Sequence, residues 1–264
     1  MSDAMRDVVL VENVGATRIV TLNRPEARNS LTRAVLREAT AALLAASGDA
    51  AVRCVILTGA KGHFCAGADL RQNLVDDPQM IDHLEGYLEE FHGLIRAIVR
   101  CDKPTIAMLD GAAVGFGADM ALACDLRVAT TRAYVQEKFV KIGLMPDGGG
   151  TFWLPRLVGT AKAMQMILLA EKIEAAELAS LGVVARVVEA EALRETTLEV
   201  ARTIEAGPPL AHAAIKRAVY ASWGSVEDAL LRERTEQLRL LRSADSIEGV
   251  MAWAQKREPE FKGK

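Results

Sequence analysis

The 264-residue sequence has no long block of charge of one sign. Its 32 basic and 35 acidic residues are mixed along the chain, giving a net charge of −3. The basic face or tail that would neutralise a phosphate backbone is missing, which argues against nucleic acid as a partner. No apolar run approaches the ~18–20 residues needed to cross a bilayer, so a membrane is not expected as a partner either. The opening stretch, Met1 to Asp7, lacks the charged-then-apolar order of a secretory signal. The four cysteines, Cys54, Cys65, Cys101 and Cys124, form no CxxC pair and no zinc-ligand spacing. They read as free thiols in a reducing cytoplasm, with Cys54 and Cys124 inside apolar runs. His63, His83 and His212 belong to no constellation, and no His/Asp/Glu cluster has ligand spacing, so no metal is expected. A GxxxxGK[ST] phosphate loop and a complete GxGxxG with its ribose acid are both absent.

What is present suits one large α/β domain, or a core with a small helical appendage. Half of the residues are apolar, enough to bury a large core. Val8–Glu12 and Thr17–Leu22 read as a hairpin around Asn13–Gly15. Thr32 is placed to cap a helix whose apolar positions, Val35, Leu36, Ala39, Leu43 and Ala46, follow helical spacing up to Gly48. Val52–Thr58 is a short, nearly continuous apolar run that suits a strand buried on both faces. A helix through Phe91, Leu94, Ile95, Ile98 and Val99 follows, then a strand over Pro104–Leu109, a helix ending near Cys124 and a strand over Leu126–Ala129. Strand, glycine turn and helix recur, which argues α/β with sites at the strand-to-helix turns. From Gly150 onward the pattern is helical, with Val183–Val188 as the only strand candidate and Pro208–Pro209 opening a further helix. The stretch from Ser225 to Trp253 is amphipathic and rich in Arg–Glu pairs, as either an oligomer face or a solvated helix surface would be.

Three glycine-punctuated turns carry the chemical signal: Gly62 to Leu70, Gly111 to Asp119, and Met145 to Gly150. Glycines let the backbone turn sharply and bring N–H groups close to a ligand. Two of the turns precede helices, whose first N–H groups have no partner in the helix. Donors from two such turns, aimed at one point, make an oxyanion hole; taken singly, each turn is ordinary.

Four segments together resemble the enoyl-CoA hydratase/isomerase (crotonase) family. They are Asn23-Arg24-Pro25 to Leu31, Phe64 to Leu70, Lys103-Pro104-Thr105 to Asp125, and Gly143 to Thr151 with Leu154-Pro155-Arg156. Their order and intervals match from about residue 8 to residue 257. The resemblance implies a spiral of ββα turns over residues 1–200 and a helical trimerisation region over 201–264. It implies a homotrimer or dimer of trimers, an acyl-CoA thioester as substrate, and no further cofactor. It also implies that the backbone N–H groups of Ala66 and Phe116 hold the thioester oxygen. Ala27, Arg28 and the loop Ala66, Gly67, Ala68, Asp69 and Leu70 would hold the coenzyme. Arg28 reads equally as a solvated loop arginine, and Asp69 reads better as a helix N-cap. The Phe116 ring is expected to narrow the pocket.

The departures from the family lie where the chemistry lies. Hydratases of this family handle water with two glutamates; this chain has Asp119 at the first position and Phe139 at the second. Asp147, in Pro-Asp-Gly, stands where members that shift double bonds or open rings carry an acid, and phenylacetate-pathway isomerases resemble the chain there. One carboxylate near both the α- and γ-carbons can move a proton between them. Asp147 is therefore the expected base and Asp119 the second acid or water-holder, for isomerisation or hydration of an enoyl-CoA. His92 lies where an aroyl-CoA dehalogenase of the family places its histidine, which keeps dehalogenase-like hydrolysis as an alternative. That enzyme has a tryptophan where Phe139 stands, and a histidine on an apolar helix ordinarily serves packing. A non-catalytic acyl-CoA binding protein is the remaining alternative. The acyl pocket is assigned to the segment between Arg71 and Glu90, which matches no motif.

Overall fold

β-Branched residues open the fold. The computed structural model describes residues 7–72, 84–221 and 226–264. Strands β1 (Val9–Val14) and β2 (Thr17–Leu22) pair antiparallel, and β1 runs two residues beyond the expected Glu12, so the turn falls at Gly15 and Ala16. Thr32 caps α1 (Arg33–Gly48), its hydroxyl accepting from the Val35 N–H, and the five apolar positions read from the sequence are the buried ones. Next come β3 (Cys54–Gly59), α2 (Leu84–Arg100) and β4 (Thr105–Leu109). β5 (Ala112–Val114), α3 (Phe116–Ala123), β6 (Leu126–Thr130) and β7 (Tyr134–Gln136) follow. After α4 (Gly150–Leu169), the chain adds β8 (Lys172–Glu174), α5 (Ala175–Ser180), β9 (Arg186–Val188) and α6 (Leu193–Ala206). Helices α7 (Pro209–Ala221), α8 (Val226–Leu240) and α9 (Ala244–Gln255) close the described chain.

The larger sheet has the order β1-β2-β3-β4-β6-β9, parallel from β2 to β9. Side chains alternate across it with period two. Ile19, Ile56, Ile106 and Val128 face α6, where they meet Leu193, Leu198 and Ala201. Val20, Val55, Leu57, Ala107 and Leu109 join the core that holds α1, α2 and α3. Each such aliphatic side chain contributes ~1.5–3 kcal/mol by burial, whereas an exposed ion pair contributes ~0–1 kcal/mol. The two-sided core therefore sets the stability, and surface pairs such as Arg33–Glu90 add little.

A second sheet, β5-β7-β8, carries the site. It corrects two expectations. Gly111–Gly117 is not turn throughout, because Ala112–Val114 pairs in parallel with Tyr134–Gln136. Val183–Val188 is not the only strand after Gly150: Lys172–Glu174 pairs antiparallel with β7, and the later strand is limited to Arg186–Val188.

The C-terminal helices are tied to the core. Lys216 is buried, its Nζ donating to the Ile98 carbonyl at 3.0 Å and pairing with Asp125 at 2.8 Å. The Tyr220 hydroxyl donates to the other Asp125 oxygen at 2.7 Å. Phe261 turns inward onto Gly249, while Trp253 is 83 % exposed. Among the described residues no helix is long and apolar enough to cross a membrane.

Candidate active site

The first glycine turn is stitched to the Asn23–Leu31 segment. Leu31 N–H donates to the Gly67 carbonyl at 2.8 Å, and Asp69 N–H to the Leu31 carbonyl at 2.9 Å. Arg24 pairs with Asp69 at 2.9 Å, and Ser30 Oγ donates to the same carboxylate oxygen at 3.1 Å. The other Asp69 oxygen accepts from the Gln72 N–H, as the N-cap reading expects. Burial pushes the Asp69 carboxyl up, but the Gln72 N–H and Arg24 outweigh it and leave it below the ordinary value. Ala27, Arg28 and the Ala66–Leu70 loop thus lie together. Arg28 is exposed, and both it and Asn29 hold the left-handed conformation, at φ +51° and +57°.

The second turn meets the first edge to edge. Cys65 bridges to Ala113 in parallel, its N–H donating to the Ala112 carbonyl and its carbonyl accepting from the Val114 N–H, both at 2.9 Å. A Cβ on Gly67 would stand 2.8 Å from the Val114 carbonyl and 3.5 Å from the Phe116 nitrogen. Only glycine permits this approach, and Gly67 holds φ +92°. Phe116 is the first residue of α3, and no hydrogen bond from its N–H is found among the described residues. The Ala66 N–H, the other expected donor, meets the Arg28 carbonyl at 3.0 Å. It becomes available to a ligand only when that bond is exchanged. The Phe116 ring does not narrow a pocket: it is 1 % exposed and packs edge-on against Phe91, with centroids 4.6 Å apart. Cys65 is no nucleophile, because burial pushes its thiol up to about 12. All four cysteines are free and buried.

The third turn brings the carboxyl groups. Asp119, one turn into α3, is fully buried, and its Oδ2 accepts from the Gly148 N–H at 2.8 Å. It therefore anchors the turn on which Asp147 sits. Burial pushes the Asp119 carboxyl up to about 8, and the nearby Asp147 charge adds to the effect. Asp147 is half-buried; burial raises its carboxyl too, while the charge of His92 opposes the rise. The Phe139 ring is 9 % exposed and lies 3.9 Å from the position that a Cβ on Gly115 would take.

One group escaped the sequence reading. Glu137, directly after β7, is 1 % exposed, and neither carboxyl oxygen has a hydrogen-bond donor among the described residues. Burial first, then Asp119 and Asp147, pushes it well above the ordinary carboxylate value. Its polar sequence neighbours, Gln136 and Lys138, gave no signal that it lies inside. No group of three or more His, Cys, Asp or Glu side chains among the described residues has a metal-binding arrangement. His83 and part of the segment assigned to the acyl pocket, residues 73–83, lie outside the described residues.

The family model described as enoyl-CoA hydratase/isomerase matches residues 13–264. The chain belongs to the enoyl-CoA hydratase/isomerase family. A Rhodobacter capsulatus protein named "Probable enoyl-CoA hydratase" is 41 % identical over 247 residues, covering 93 % of this chain and 94 % of that protein. The 1,2-epoxyphenylacetyl-CoA isomerase of Escherichia coli is 36 % identical over 262 residues, covering 98 % of this chain and all of the relative. Among solved structures, an enoyl-CoA hydratase from Bacillus anthracis superposes with a TM-score of 0.92 at 30 % identity, covering 98 % of this chain and 100 % of that one. The fold is that of the crotonases, α/β with a helical C-terminal region. The chain is an enzyme of this family, and its relatives include both hydratases and isomerases.

Proposed function

We propose that this enzyme shifts the double bond of an enoyl-CoA, with Asp147 as the base that moves the proton. The observation that carries the reading is the pairing of two carboxyl environments with an apolar ring. Asp147 is partly open, and His92 opposes the rise that burial causes in its carboxyl. Asp119 is sealed, and burial pushes its carboxyl up to about 8. Environments that push two titrating groups apart assign the base and the acid. Phe139 stands where a hydratase carries its second glutamate, and a phenyl ring can neither take a proton from water nor return one.

In this reading the thioester oxygen accepts from the Phe116 N–H, and from the Ala66 N–H once that group leaves the Arg28 carbonyl. Asp147 takes a proton from the α-carbon of a 3-enoyl thioester. The electron pair spreads over the dienolate and onto the oxygen, where the backbone donors stabilise it. The same proton returns at the γ-carbon, giving the conjugated 2-enoyl thioester. Asp119 acts as a buried anchor behind the base rather than as a water-holder, since it is fully buried and bound to Gly148. Arg28 would meet the coenzyme phosphates, a role its exposure beside the Ala66–Leu70 loop supports. Mixing a 3-enoyl-CoA with the protein should raise the absorbance of the conjugated thioester through many turnovers. Absence of turnover across aliphatic and aromatic acyl groups would end the proposal.

A second reading has His92 in its favour: with Asp147 as a carboxylate nucleophile that displaces a ring halide, the pair resembles the arrangement for hydrolytic dehalogenation of a halogenated aroyl-CoA. Halide release from a halobenzoyl-CoA distinguishes it, and the isomerase reading expects none.

The assembly we propose is a trimer or a dimer of trimers. It is supported by exposed apolar side chains on the C-terminal helices, Leu231, Leu238, Ile247, Val250 and Trp253 among them. Light scattering should report at least three copies at micromolar concentration. A monomer there contradicts the proposal.

A further inference from the structure

The family position that Phe139 occupies is apolar, yet the site still contains a third carboxyl group. Glu137 and Asp119 come from different elements, the end of β7 and the first turn of α3, and meet over Gly150. The Cβ that Gly150 lacks would stand 2.4 Å from Asp119 Oδ1 and 3.1 Å from Glu137 Oε1. Both oxygens therefore crowd one point, from which any side chain at position 150 is excluded. Asp119 Oδ1 and both Glu137 oxygens are buried with no donor among the described residues. Two ionised carboxylates cannot share such a place without a cation. Among the described residues no lysine, arginine or histidine is found bonded to either. The neighbouring ionisable groups are Asp147, which raises both, and His92, which acts on Asp147. The arrangement is satisfied when one carboxyl donates its proton to the other.

We infer that Glu137 is a protonated positioning residue that donates to Asp119 Oδ1, completing a chain from Glu137 through Asp119 to the Gly148 N–H that fixes the turn bearing Asp147. Its role in turnover rests on the proposal that Asp147 is the base. With Oδ1 held by Glu137 and Oδ2 by Gly148, the Asp119 carboxyl has one orientation, and the Pro146–Gly150 backbone has a fixed anchor. Asp147 then presents its carboxylate at one distance from the substrate carbons. A displacement of about 1 Å at a reacting group can cost on the order of 10²-fold in rate. Glu137 does not touch the substrate, and its effect passes through Asp119.

Three forms of the full-length protein test this: wild type, Glu137→Leu and Glu137→Gln. The infrared difference between wild type and Glu137→Gln at neutral pH should contain the C=O band of a protonated carboxylic acid. Glu137→Leu should lower kcat for a 3-enoyl-CoA by on the order of 10²-fold, with acetoacetyl-CoA affinity unchanged. Its melting temperature should fall as well, because Asp119 Oδ1 is left buried without a donor, and Glu137→Gln should recover it. Glu137→Gln keeps a donor toward Oδ1 and should restore most of the lost rate. A missing acid band, or a Glu137→Leu protein with undiminished kcat, overturns the inference. So does a loss of rate that Gln fails to restore. The infrared band needs no substrate, so it separates this inference from the assignment of Asp147. If the band is present while Asp147→Asn turns over normally, the proton on Glu137 stands and the choice of base falls.

Discussion

Replacing Asp147 with Asn lowers the isomerisation rate by on the order of 10²–10⁴ and leaves acyl-CoA affinity nearly unchanged. Asparagine keeps the size and much of the hydrogen bonding of the aspartate, so the turn between Pro146 and Gly148 should hold its shape. What disappears is the one partly open carboxylate of the three that gather here; Asp119 and Glu137 are both sealed from solvent. Phe139 offers no substitute. Binding should survive because the proposed oxyanion donors are backbone groups on Phe116 and Ala66, which the substitution does not touch. Steady-state kinetics with a 3-enoyl-CoA, together with calorimetry using acetoacetyl-CoA, separate the two effects. An Asp147→Asn protein that turns over normally on every acyl group would remove Asp147 from the mechanism.

The rate should also follow a bell-shaped curve in pH. Asp147 must be ionised to take a proton, so activity is lost as pH falls through its value, which burial raises above the ordinary 3.8. The buried Asp119 site must keep the proton it shares with Glu137, so activity is lost as pH rises through its value of about 8. Above that point a second negative charge would lie beside both Asp147 and the developing enolate, and it is buried, where water screens it little. Each limb should approach a tenfold change per pH unit. Asp119→Asn should slow turnover, because the anchor on Gly148 changes, and should abolish the alkaline limb. An alkaline limb that persists unchanged in Asp119→Asn would assign it to another group.

The sequence made some elements plain for physical reasons. Helix α1 was legible because its cap, Thr32, and its buried positions from Val35 to Ala46 are all local signals. The parallel strands were legible as apolar runs because the sheet is covered on both faces. Strands β7 and β8 were not. Each is three residues long, and in Lys172–Glu174 only Ile173 is buried, so neither a run nor an alternation can be seen. β5 hid within a glycine turn, because its pairing partner lies some twenty residues along the chain. In the site, Asp119, Asp147, Ala66 and Phe116 could be named from motif positions. The Arg28 carbonyl on Ala66 and the inward Phe116 ring could not, because both depend on contacts between distant segments. Glu137 is the clearest case: flanked by polar residues, it looks like surface until β7 carries it over Gly150 to Asp119.

In the proposed reaction an apolar Phe139 and a basic Asp147 together make this family member an isomerase rather than a hydratase. The most direct test uses one acyl chain in two forms, the 3-enoyl-CoA and the 2-enoyl-CoA, with rates of isomerisation and of water addition measured on the same preparation. For an isomerase of this kind, kcat/KM for isomerisation should exceed that for hydration by at least about tenfold, a difference of about 1.4 kcal/mol between the two transition states. Hydration as fast as isomerisation or faster would contradict it.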